Sequence, residues 1–346
     1  METLTWPQIL AWRMERQFLL TPEPDPAVVA RRLAGVQAQV ASAAATSLAV
    51  RGAYTGDAVG VSLVKTWAMR GTLHLLPVEE ASAYLTLCST VRNWEKPAWT
   101  RASGATPADV EAIAKVAADV LPSGPLTRAE FTAAVLAETG STHLEGALSS
   151  GWGSILKPLA WWGVLCHGPS QGGRITFTSP ASLPGWRPAP PVEEAARTVL
   201  RAYLGAHGPA TPDMFDNWLM RRMSRKGDVR SWFAALEDEL TEVSVEGVVM
   251  RALTGHVEAL TAAEPSGAVR LLGPFDQYVL GAGTDATYLI PAEHRAKVSR
   301  AAGWISPVVL HGGAVAGTWD PATGESELWS RVPGLALRAE VRSFPV

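Results

Sequence analysis

The chain has 346 residues, 47% of them hydrophobic and 18% charged, which excludes a disordered or fibrous protein and leaves enough apolar residues for two or three packed cores. Lys plus Arg number 30 against 33 Asp plus Glu, so the formal charge of −3 excludes a general polyanion coater but allows one basic face. Cys88 and Cys166 form no CxxC pair, so neither a disulfide framework nor a metal site is expected. No apolar run reaches the length of a membrane span and no basic, apolar leader opens the chain, so a soluble, cytoplasmic protein is expected. The 14 tryptophans are an unusual load and are expected mainly as core and inter-domain wedges.

In chain order, Trp6-Pro7 opens a predicted helix to about residue 20, and Asp25-Pro26 opens another with Val28, Val29 and Leu33 on one face. A helix over 57–66 and a strand over 69–76 are expected next. Val110, Ile113, Val116, Ala117 and Val120 then mark a helix that Gly124-Pro125 breaks, and Thr127 caps the following one in a capping box with Glu130. A third helix over 152–162 and a hairpin of 164–167 with 174–178 complete this stretch.

The same pattern returns 84 residues later: Gly208-Pro209-Ala210-Thr211 and Phe215 repeat Gly124-Pro125-Leu126-Thr127 and Phe131. Ala195, Val199, Ala202 and Tyr203 form its upstream helix, and Pro212 takes the first position of the next. A third helix over 228–239 precedes a hairpin that joins 240–245 to 248–253 through Glu246-Gly247. Three helices and a hairpin make a winged helix-turn-helix, and the first hundred residues fit a looser third copy. Residues 187–191 read as a linker, and beyond 262 the texture changes to short strands, with a hairpin over 308–319. The predicted class is α+β: three tandem winged helix-turn-helix motifs at 1–100, 101–190 and 191–261, then a β-rich domain at 262–346.

Several enzyme signatures are absent. Gly281-Ala282-Gly283 imitates a dinucleotide fingerprint, but no βαβ pattern surrounds it and Pro291 interrupts the following helix. The seven histidines include no HxxxH pair, and no nucleophile elbow or P-loop occurs, so no cofactor is expected. Basic residues concentrate locally: Arg197, Arg201, Arg221, Arg222, Arg225, Lys226 and Arg230 face only Asp213, Asp216 and Asp228, a net of +4. The last five lie just before or at the start of the third helix of their repeat, where a winged helix meets phosphates. Arg221, Arg222, Arg225, Lys226 and Arg230 are therefore candidate DNA contacts; the plain alternative is a salt-bridged, solvated face.

Read alone, Gln37-Ala38-Gln39 is a pair of surface glutamines, which an extended segment after Gly35 would project to one side. Thr72 and His74 likewise share one face of their predicted strand, and His74 alone reads as a hydrogen-bonded histidine.

Together, Gly35-Val36-Gln37-Ala38-Gln39 and Trp67-Ala68-Met69-Arg70-Gly71-Thr72-Leu73-His74 resemble the AlkZ/YcaQ-like winged-helix DNA glycosylases over essentially the whole chain. That family has three tandem winged helices and a β-rich C-terminal part, and it unhooks bulky alkylated bases, interstrand crosslinks included. Its signature is Gln-x-Gln in one branch and Gln-x-Asp in the other; Gln39 places this chain in the first, the branch of azinomycin self-resistance. The resemblance implies a monofunctional glycosylase for N7-alkylated purines in duplex DNA, acting as a monomer in the bacterial cytoplasm. It makes Gln37 and Gln39 catalytic and places Arg70, Thr72, His74 and Asp276 around the site, the last without a defined role.

The chemistry agrees with those side chains. An N7-alkylated purine is already cationic and leaves without a proton, so oriented water and electrostatic support at C1′ suffice. A glutamine is no general base near neutral pH. No motif places a lysine for Schiff-base chemistry, so no strand cleavage is expected. The rival is a non-catalytic winged-helix regulator or drug-sequestering protein, which has no need of a Gln-x-Gln motif outside its recognition helix.

Overall fold

The computed structural model describes residues 1–151 and 153–345 and is an α+β fold. Strand β1 (Glu2–Leu4) leads into helix α1 (Trp6–Arg16), where Gln8 closes a capping box on Thr5. Helix α1 stops short of residue 20 because Phe18 turns the chain at φ +57°. Asp25 caps α2 (Pro26–Arg32) through the amides of Ala27 and Val28. Strand β2 (Val36–Gln37), helix α3 (Ala41–Ala49) and the hairpin of β3 (Leu63–Trp67) with β4 (Leu73–Pro77) follow.

Two expectations fail here. The helix expected over 57–66 is a set of turns running into β3, because Gly56 and Gly60 sit at φ +44° and +93° and Leu63–Trp67 gains strand partners on both sides. The strand expected from 69 begins only at Leu73, because Arg70 and Gly71, at φ +58° and +66°, form the hairpin turn.

Helices α4 (Val78–Ser89), α5 (Pro97–Ser103) and α6 (Pro107–Val120) precede β5 (Leu126–Thr127) and α7 (Arg128–Thr139). The Thr127–Glu130 capping box forms as expected, with the Glu130 carboxylate accepting from the Thr127 amide at 2.8 Å. Helices α8 (Glu145–Ser149) and α9 (Lys157–Trp161) lead to β6 (Cys166–His167) and β7 (Thr176–Thr178). Of the helix expected over 152–162, Trp152 lies outside the described residues, and a 3₁₀ turn at Ser154–Leu156 feeds α9.

The next repeat runs through α10 (Val192–His207), α11 (Pro212–Met220), α12 (Lys226–Ala235), β8 (Leu240–Val245) and β9 (Val248–Leu253). Thr211 caps α11, and Glu246-Gly247 turn the hairpin with both φ angles positive, the two-residue turn that strand twist favours.

A shared strand plan links the three stretches expected as repeats. In each, a short segment between helices pairs with the last hairpin strand: Gln37 with His74, Thr127 with Thr176, Ala210 with Arg251. The first two repeats fuse into one six-stranded sheet of order β2-β4-β3-β6-β7-β5, joined where Lys65 pairs with His167. Strand β1 adds in parallel to β8, so the first residues complete the sheet of the last repeat.

After α13 (Val257–Ala262), the C-terminal part folds as β10 (Val269–Leu272), α14 (Gln277–Ala282), α15 (Arg295–Val298), β11 (Val308–His311), β12 (Ala314–Trp319), β13 (Ser326–Leu328) and α16 (Gly334–Ser343). Its four strands pair in sequence order, with Gly312-Gly313 turning β11 into β12. The three helices here were not expected; each is short, and α16 is anchored on β10 by the Arg270–Glu340 ion pair. The tryptophans act largely as wedges: Trp94 meets Trp161 and Trp162, and Trp6 of α1 stacks on Tyr288 of the C-terminal part at 3.4 Å. Among the described residues no helix is long and apolar enough to cross a membrane.

Candidate active site

The β3–β4 turn builds the site. Arg70, held at φ +58°, sends its guanidinium across to the last repeat, where Nη1 donates to the Trp218 carbonyl of α11 at 2.7 Å. Its Nη2 donates to Gln37 Oε1 at 3.0 Å and lies 3.4 Å from His74 Nε2. A guanidinium only donates, so it fixes which end of the Gln37 amide is oxygen and makes His74 Nε2 an acceptor. His74 Nδ1 then carries the proton and donates to the Thr72 carbonyl at 3.0 Å.

Burial, then the Arg70 charge, push the His74 pKa down to about 3. The imidazole is neutral at working pH and serves to position Arg70. Burial and Arg221 lower the Arg70 pKa to about 10, which leaves it a cation.

Gln39 is exposed, and its Oε1 accepts from the Leu73 amide at 3.2 Å. The preceding Ala38 amide donates to the Leu73 carbonyl at 2.7 Å, so the Gln39 side chain takes over where the β2–β4 ladder ends. Thr72 is turned back on the hairpin, its hydroxyl donating to the Met69 carbonyl at 3.1 Å. Gln37, Arg70 and His74 are thus one bonded cluster, with Gln39 and Thr72 next along the strand pair.

A cleft of about 410 Å³ opens on this cluster, lined by Gln37 and Arg70, by Asn217, Trp218 and Arg221 of the last repeat, and by Phe275 and the 281–285 loop. A larger groove of about 710 Å³ runs along Lys297, Trp304 and Asp320 in the C-terminal part but contains none of these groups. The Gly281-Ala282-Gly283 sequence ends α14 and carries that part of the cleft wall.

Gln39, Thr72 and the buried His74 are not part of the cleft wall, and Asp276 does not line it either, contrary to expectation. Asp276 caps α14 and is fully buried, with Oδ2 and Oδ1 each 2.8 Å from an Arg51 nitrogen, while the Ser47 hydroxyl and the Tyr278 amide each donate to it at 2.9 Å. Every strong acceptor direction is taken by structure.

The basic cluster divides. Arg197 and Arg201 are tied to Asp238 and Glu239, and Arg222 lies 3.7 Å from Asp285. Arg221, Arg225, Lys226 and Arg230 are exposed, and among the described residues no carboxylate lies within 4.0 Å of them. Arg221 bridges the two regions, closing α11 at φ +55° while lining the cleft.

One cation escaped the sequence reading. Lys157 of α9 lies against the hairpin turn, 3.5 Å from where a Gly71 Cβ would stand, and its pKa is lowered by burial and by Arg221. No motif announces it, because the six-stranded sheet brings it there from the neighbouring repeat.

The neutral histidines carry a stability prediction. His74 and His207 are both buried, and burial first and then arginine charges push each down to about 3. Once unfolded they protonate near ~6.5. The unfolded chain therefore binds protons that the folded chain refuses, and stability falls as pH drops from about 6.5 towards 3. With His167, which burial also pushes down to about 3, three such groups give a slope of up to roughly 4 kcal/mol per pH unit. Urea unfolding at pH 7 and pH 5.5 measures it; equal midpoints would mean that none of these rings is held neutral in the fold.

Known proteins resemble this chain over most of its length. The family model described as "DNA glycosylase AlkZ-like" matches residues 30–342. An interstrand DNA cross-link repair glycosylase of Streptomyces sahachiroi is 50% identical over 325 residues, spanning 91% of this chain and 88% of its own. The solved structure of the Streptomyces sahachiroi DNA glycosylase AlkZ superposes with a TM-score of 0.94 at 48% identity, covering 98% of this chain and 95% of that one. The chain belongs to the AlkZ-like family of DNA glycosylases, hydrolases of N-glycosyl bonds.

Proposed function

We propose that the chain hydrolyses the N-glycosidic bond of N7-alkylated purines in duplex DNA, bulky and crosslinking adducts included, and so supports repair and self-resistance in a genotoxin-producing bacterium. Crosslink repair is what its Streptomyces relative is named for. The observation that carries the reading is the polar wall of the cleft, the Gln37 amide carbonyl and the guanidinium pinned to it, with the neutral His74 buried behind them. Asp285 is the one carboxylate among the described lining residues, and it is half-exposed and faces Arg222. None of the groups in the bonded cluster can protonate a leaving base, so the lesion must supply its own positive charge.

In the proposed reaction, Gln37 Oε1 and Gln39 Oε1 each keep one lone pair beyond the bond described above, and these accept hydrogen bonds from water. The bond from C1′ to the base nitrogen breaks with its electron pair moving onto the purine, which becomes neutral. The oriented water adds to C1′ and loses its proton to solvent. Gln37 and Gln39 stabilise the developing positive charge at C1′ by their carbonyl dipoles. Arg70 and His74 hold Gln37 in place. The test is base release from matched duplexes: N7-methylguanine is expected to leave, while uracil and 8-oxoguanine stay. Efficient uracil excision would reveal a proton donor and overturn this mechanism. DNA binding with no release of any base would favour a regulator.

We propose also that the three repeats are winged helix-turn-helix motifs that act as a monomer, and that α12 with its preceding turn meets the DNA backbone. Replacing Arg221, Arg225, Lys226 and Arg230 with alanine should weaken binding to all duplexes alike. Each lost phosphate contact lowers the steepness of the log affinity against log salt plot by about 0.9. An unchanged slope in the quadruple variant would place the DNA on another face.

A further inference from the structure

The turn between β10 and α14 holds a residue in a conformation that its type disfavours. Pro274 presets the turn, and Phe275 follows at φ +57°, a left-handed position where glycine or asparagine is usual. The backbone on either side is locked. Gly273 lies against α3, where any Cβ would come within 2.7 Å of the Thr46 methyl group. Asp276 is clamped by Arg51, Ser47 and the Tyr278 amide. A strained position held this firmly is a reason to ask what the Phe275 side chain does there.

Phe275 lines the same cleft as Gln37 and Arg70. It is half-buried and meets the ring of Trp304 at 5.0 Å and 79°, an edge-to-face contact that braces it from the side. Trp304 is itself 42% exposed, while the other described tryptophans are buried or half-buried.

We infer that Phe275, held by the Arg51–Asp276 pair and braced by Trp304, is the stacking platform for the purine of the lesion. The inference rests on the reaction proposed above and names how its substrate is selected. An N7-alkylated purine is a planar cation, and the negative face of an aromatic ring attracts it more than a neutral guanine. The same attraction lapses when the glycosidic bond breaks, because the departing purine is neutral, so the platform favours substrate over product. Asp276 thereby gains a role as a positioning residue that never touches DNA.

The experiment compares the parent with F275L, F275Y and F275G in single-turnover release of N7-methylguanine, alongside equilibrium binding to the undamaged duplex. F275L should raise the half-saturating protein concentration for the lesion duplex roughly 10-fold or more, with undamaged-duplex affinity and Tm unchanged. F275Y, which keeps an aromatic face, should stay close to the parent. F275G suits the left-handed backbone, so it keeps the test open if F275L misfolds, and it should show the same selective loss. Parental behaviour in both F275L and F275G would overturn the platform, as would an equal loss on damaged and undamaged DNA. A parent that releases no base would condemn the proposed reaction, and equilibrium binding of lesion against undamaged duplex would then decide the platform separately.

Discussion

Gln37→Ala is expected to lower the single-turnover rate of N7-methylguanine release by on the order of 10²–10³-fold, the loss typical of removing one oriented dipole at a reacting centre. The side chain has no slack to share the task, because its oxygen is pinned by Arg70 and the amide is 7% exposed. Truncation also leaves Arg70 Nη2 with only the longer contact to His74, so a stability loss of about 1–3 kcal/mol should accompany it. Binding to undamaged duplex should survive, since Arg225, Lys226 and Arg230 lie outside the cleft. Gln39→Ala should reduce the rate comparably and cost less stability, because the freed Leu73 amide lies at the end of the ladder. The double variant should lose little more than either single one, since both amides act on one water. Parental rates in the double variant would remove both glutamines from the mechanism.

The elements that were legible from the sequence are those set by neighbours in the chain. Asp25, Thr127 and Thr211 cap helices where their spacing says they should, because a cap needs only the next few amides. The Glu246-Gly247 hairpin is equally local. Errors begin where partners are distant. Leu63–Trp67 is a strand because β4 and β6 flank it, and nothing within residues 57–66 records those neighbours. The resemblance pointed to Gln37, Gln39, Arg70, Thr72 and His74, yet not to the Trp218 carbonyl that anchors Arg70 from another repeat. Asp276 was singled out as part of the site, but its partner Arg51 lies 225 residues away, so its structural work could not be read.

That pair supplies the largest expected stability effect. Asp276→Asn should destabilise the fold by about 3–5 kcal/mol, because Arg51, wholly buried, would keep its charge without a counterion. The loss should appear as a Tm drop of about 4–7 °C. Replacing both partners, as in R51M with D276L, should recover much of it, since no buried charge then remains. Recovery should stay incomplete, because the Tyr278 amide still loses its cap, worth roughly 1 kcal/mol. The pH dependence has a definite sign. Burial pushes the Asp276 pKa up, but the Arg51 charge and the bonds from Arg51, Tyr278 and Ser47 outweigh it, and the net shift is downward. The stabilisation is therefore complete above the unfolded value near ~3.9 and is lost as pH falls through the lower folded value. D276N should lose that acid-dependent part of unfolding while keeping the histidine-dependent part at higher pH. Its excision rate should fall with the register of Phe275, and the double variant should regain stability without regaining full lesion affinity. A D276N protein as stable as the parent would mean that Arg51 finds another acceptor, and that the turn carrying Phe275 is held by something else.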